Sequence, residues 1–117
     1  MASIALNKGD YEGARAEFEE ALQIRQEIGD RSGEATTRHQ LATIAGEQGD
    51  YEGARSGFED VLQIHQEIGD RFGEAKTRHN LASIAGRKGN YEEARVEFEK
   101  VLRIRQEIED RSGEATT

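Results

Sequence analysis

The chain has 117 residues, one domain's worth, of which 34% are apolar and 34% charged, and it carries a formal net charge of −8. It contains no cysteine, which excludes disulfides and thiolate metal sites, and no apolar run approaches the length of a membrane span. So acidic a surface disfavours nucleic acid as a partner, because phosphate binding needs a basic one.

Tyr11, Tyr51 and Tyr91 lie forty residues apart, and most of what surrounds them recurs with them. Residues 10–49 and 50–89 agree at about 29 of 40 positions, and 90–117 continues the series. A fixed period of this size marks a stack of repeated units that bury their apolar faces on their neighbours.

In chain order, Met1–Gly9 aligns with Leu41–Gly49, so the first segment corresponds to the second half of a helix. A helix follows from Tyr11, and the central repeat shows its pattern best. There the apolar positions are Tyr51, Ala54, Phe58, Val61, Leu62, His65 and Ile68, spaced by threes and fours along one helical stripe. Asp50 is placed to cap this helix and Glu52 suits its positive end. Gly69 ends it in the left-handed conformation that glycine adopts cheaply. Asp70 and Arg71 then open a second helix with the stripe Ala75, Arg78, Leu81, Ala82 and Ala85, which runs to Gly86–Gly89. Connections this short make consecutive helices antiparallel neighbours. In the last repeat Glu109 replaces the terminating glycine, so the helix there is expected to end less sharply. The spacing thus predicts an all-α row of antiparallel helical hairpins. Its register is a partial repeat at 1–30, repeats at 31–70 and 71–110, and the start of a further helix at 111–117.

The segment Asn80–Ile104 resembles the tetratricopeptide repeat. The matching features are Leu81 with Ala82, then Gly89, Tyr91, Ala94, Phe98 and the pair Val101 and Leu102. The same set recurs at Leu41, Ala42, Gly49, Tyr51, Ala54, Phe58, Val61 and Leu62. The forty-residue period and the linkers Glu27–Ala35 and Glu67–Ala75 resemble the long-helix variety found in kinesin light chains and in GoLoco-containing adaptors of G-protein signalling. The resemblance implies a right-handed α-solenoid and a non-enzymatic scaffold for protein partners. It also implies that side chains around the Leu-Ala pair line a peptide-binding groove. Carried onto this sequence, they are Thr36, His39, Gln40, Thr43 and Glu47, then Lys76, His79, Asn80, Ser83 and Arg87. Four of these five pairs differ between the repeats while the core stripes stay nearly constant.

Other constellations carry less. His39 and His79 recur with the repeat, and His65 sits on the other helix, with no ligand spacing that suits a metal. Acidic residues recur too, whereas a reaction centre needs one asymmetric arrangement. There is no GxGxxG, P-loop or GxSxG. No enzyme activity and no cofactor are expected. Arg15, Arg55 and Arg95, with Arg31, Arg71 and Arg111, read as surface ion-pair partners of Glu12, Glu19, Asp30 and their equivalents. The N-terminus lacks a signal-peptide layout, and a cytoplasmic setting is expected. The chain reads as an excerpt of a longer array, with apolar surface at Ile4 and Ala5 and again at Val101, Leu102 and Ile108. Head-to-tail self-association through such faces is the alternative role.

Overall fold

The computed structural model describes the backbone of residues 8–116 and the side chains of residues 10–113. They form five helices: α1 (Lys8–Ile28), α2 (Arg31–Glu47), α3 (Tyr51–Ile68), α4 (Arg71–Arg87) and α5 (Tyr91–Thr116). Among the described residues there is no strand. The all-α hairpin architecture read from the sequence is the one found.

Each connection is built from a glycine and the residue after it. Gly29, Gly49, Gly69 and Gly89 have φ between 72° and 85°. After α2 the Gly49 N–H donates to the Gly46 carbonyl and the Asp50 N–H to that of Ala45. The same pair of bonds recurs after α1, α3 and α4. This is the Schellman arrangement, which satisfies carbonyls that a helix end would leave unpaired. The residue after the glycine then caps the next helix. Asp30, Asp50 and Asp70 accept from the backbone N–H of Gly33, Gly53 and Gly73 at 2.8–2.9 Å. One residue thus closes one helix and opens the next, which forces the reversal.

Where the glycine is missing, the reversal is missing as well. The sequence register starts a further helix at 111–117, but α5 runs unbroken to Thr116. Glu109 occupies the place of Gly29 and Gly69, and a side chain there makes the left-handed turn costly. At the other end α1 already includes Lys8–Asp10, where the register places a Gly–Asp turn. Ile4 and Ala5 lie outside the described residues.

The chain divides into two compact units, Met1–Val61 and Leu62–Thr117. In the first, α1 packs on α2, and the start of α3 packs on α2 as well. Its buried residues include Ala14, Ala35, Ala42, Ile44, Ala54, Phe58 and Val61. Gly57, for which the sequence offered no reason, faces the Ala42 side chain so closely that a Cβ there would lie 2.9 Å from the Ala42 Cβ. In the second unit α4 packs on α5. Ala75, Val101 and Ile104 form its core cluster, with Ile108 packed against it. Val101, expected on an open face, is therefore buried because it turns toward α4, whereas Leu102 beside it is exposed. Ile64 and Ile84, outside the expected stripes, are also buried, and Ile68 is exposed.

Candidate functional site

The ten candidate residues fall five on α2 and five on α4, at matching places. Their spacing of three to four residues puts each set on one face of its helix. Thr36, Gln40, Glu47, Lys76, His79 and Arg87 are exposed; His39, Thr43, Asn80 and Ser83 are half-buried. The residues between them turn inward, Ala35, Ala42 and Ala45 on α2 and Ala75, Ala82 and Ala85 on α4. The hydroxyls have local partners. Thr36 donates to the Ser32 carbonyl at 3.2 Å, Thr43 to that of His39 at 2.9 Å, and Ser83 to that of His79 at 3.1 Å. With their protons used inside the helix, these hydroxyls offer acceptor lone pairs to an approaching molecule.

The two histidines are held by aromatic neighbours. His39 meets Phe58 edge-on at 5.3 Å, and His79 meets Phe98 in the same way at 5.4 Å. Each contact joins a candidate residue to the helix that follows it and fixes its ring. Glu47 receives the Tyr11 hydroxyl; burial first, and then the Glu47 charge and this hydrogen bond, raise the tyrosine's pKa. Among the described residues no three His, Asp or Glu side chains converge as a metal ion would require.

Three of the ten residues share a cavity. Lys76, His79 and Asn80 form one wall of a space of about 580 Å³ between α4 and α5, together with Phe72, Ala75, Arg105, Ile108 and Glu109. Ser83 and Arg87, further along α4, do not line it. Phe72 and Arg105 were not singled out from the sequence, and Ile108 was read there as apolar surface rather than as part of a site. The signal that would have found Phe72 was present, because Ser32 and Ser112 stand at its place in the other repeats.

Most arginines of the repeat serve structure. Glu34 and Glu74 are only 5% and 4% exposed. Arg31 and Arg38 flank Glu34 at 2.9 and 3.0 Å, and Arg71 and Arg78 flank Glu74 at 2.7 and 3.1 Å. Burial pushes both carboxyls up, but the arginine hydrogen bonds outweigh it and hold both below the ordinary glutamate value. Arg71 also pairs with Glu107, and Arg78 with Glu97 at 3.0 Å. Arg95 pairs with Glu92 and Glu99, the equivalents of Glu12 and Glu19, at 3.0 and 2.8 Å. Asp30, by contrast, pairs with Arg25 at 2.8 Å. His65 replaces that arginine in the central repeat, and its Nδ1 lies 3.4 Å from Asp70 without forming a hydrogen bond.

Compared with known families, the chain matches the model described as tetratricopeptide repeat over residues 1–67 and again over 34–107. No curated protein matches it.

Proposed function

Since the chain belongs to the tetratricopeptide repeat family, whose repeats generally mediate protein–protein interactions, we propose that it is a non-enzymatic cytoplasmic scaffold. Its partner is a peptide or helix that meets outward-facing side chains of α2 in one unit or of α4 in the other. We further place it in the long-helix variety typified by kinesin light chains, on the strength of the forty-residue period, with repeats at 31–70 and 71–110.

The observation that carries this reading is the contrast between the two sides of α2 and α4. Their inward alanines recur unchanged, while exposed residues on the other side change chemistry between repeats: Thr36 to Lys76 and Glu47 to Arg87. A surface that discriminates between partners needs such variation, and a rigid helix presents it without prior ordering cost.

The test begins with a peptide selected from a displayed library on the folded chain. Asn80→Ala, at a half-buried position, and Arg87→Glu, at an exposed one, are expected to weaken it roughly tenfold each with an unchanged helical spectrum. Unaltered affinity in both variants removes this face from consideration.

A second reading, head-to-tail self-association, rests on one specific difference. Phe58 is 4% exposed, whereas its repeat equivalent Phe98 is 40% exposed and shares a face of α5 with exposed Leu102, four residues on. Light scattering over a concentration series separates the two readings. Growth to open-ended sizes supports assembly, and a monomer at high concentration excludes it.

A further inference from the structure

Within this acidic chain the third repeat carries two cations that the earlier repeats lack. In the central repeat Arg38 lies 3.7 Å from Asp60. Arg78 and Lys100 are the equivalents of that pair, so an ammonium stands where the carboxylate was. Glu20 holds the same place in the first repeat. Three residues further along α5, Arg103 replaces the glutamine found at Gln23 and Gln63. Both changes fall beside one cleft of about 260 Å³, lined by Arg71, Glu74 and Arg78 on α4 and by Lys100, Arg103 and Glu107 on α5. The cleft lies across the α4–α5 seam from the larger cavity. Arg71, Glu74 and Arg78 form one stripe of α4 and Phe72, Lys76 and His79 another, with buried Ala75 and Ala82 between them. It shares no residue with the ten candidates.

The carboxylates here are already committed. Glu74 is shared by Arg71 and Arg78, Glu107 pairs with Arg71, and Glu97 pairs with Arg78. Among the described residues Lys100 and Arg103 are left without an ion-pair partner. Four cations thus face two carboxylates around the cleft, in a chain of net charge −8. We propose that this cleft binds a phosphate monoester. Lys100 and Arg103 meet the phosphate oxygens from α5. Arg71 meets them from α4 with the N–H groups that its two carboxylates leave over. Charge selects this ligand, because two unmatched cations balance the dianion that a monoester carries above its second pKa of about 6. A single carboxylate would leave one cation uncompensated. Size agrees, since the space falls below the ~300–1,000 Å³ of most ligand pockets and suits a compact headgroup. Planar guanidinium donors beside an ammonium match phosphate oxygens well. The ester is carried by a phosphorylated protein side chain or by a free small molecule, and the experiment separates the two.

The probes are O-phosphoserine and a neutral peptide of alanine and serine with one phosphoserine. Each is titrated into the ¹⁵N-labelled whole chain at neutral pH and constant ionic strength. Both are expected to shift the amide signals of Arg71, Lys100 and Arg103. Lys100→Asp and Arg103→Gln introduce what the central repeat carries at those places, and each is expected to weaken binding roughly tenfold while keeping the parent helical spectrum. Lys88→Gln, a similar exchange at the far end of α4, is expected to leave binding unchanged. A phosphopeptide that binds more tightly than phosphoserine upholds the site with a phosphorylated protein as its ligand. Equal affinities uphold it with a free phosphate ester. The proposal is overturned if neither probe shifts these signals, or if a peptide with glutamate in place of phosphoserine binds equally well. It is also overturned if either cleft variant keeps full affinity, or if Lys88→Gln weakens binding as much as they do.

Discussion

Two side chains show how little room the packing leaves. An alanine at Gly57 would bring its methyl within 2.9 Å of the Ala42 Cβ, which is tied to its own backbone and cannot swing aside. Alanine gains about 1 kcal/mol of helix propensity over glycine, but overpacking of this kind costs about 1–3 kcal/mol. Gly57→Ala is therefore expected to destabilise the chain in urea denaturation. Gly86→Ala, where a Cβ meets nothing within 4 Å, should stabilise it by about 0.5 kcal/mol. If Gly57→Ala also stabilises, the close approach of α3 to α2 is refuted. Glu74 is the second case. Its pKa is lowered in the fold, so its contribution is present above the unfolded value near 4.5 and is lost as pH falls through the lower folded one. Glu74→Gln should cost about 1–3 kcal/mol at pH 7 and flatten the loss of stability on acidification. An acid limb as steep as that of the parent would contradict this.

At the scale of elements, each helix is delimited by signals a few residues long. A glycine at positive φ ends one helix, and the next residue caps the following one. This explains why the hairpins are legible in the sequence, and why the end of α5 is not. The aspartate at 110 looks like a cap, but a cap needs the turn in front of it, and Glu109 does not supply one. Glu109→Gly is expected to restore the break. Backbone NMR shifts should show a left-handed residue at 109 and a helix start after it, with a small loss of total helicity by circular dichroism. A helix that continues unbroken in that variant would show that tertiary contacts, not the residue, hold α5 straight.

At the scale of the whole molecule, equivalent residues have unequal surroundings. Phe58→Ala should cost about 3–5 kcal/mol as the truncation of a buried aromatic. Phe98→Ala should cost far less in the same denaturation experiment, because 40% of its surface is already in water. Equal costs would mean that Phe98 is covered in solution, as self-association would do. The repeat alone assigns the two residues one role; only their surroundings distinguish them.

The sequence by itself determined the helices, their reversals, their inward faces and the family. Those properties depend on periodicity, caps and glycines that act over a turn or two of chain. The ten candidate residues came from the family resemblance, and of these six are exposed and four half-buried. The tertiary structure decided what depends on distances between residues remote in sequence. Ala42 meets Gly57, Glu97 reaches Arg78, and Phe72 stands across an opening from Ile108. Which cations lack partners was decided there too, because an ion pair needs two side chains within about 4 Å, and helix packing sets that separation.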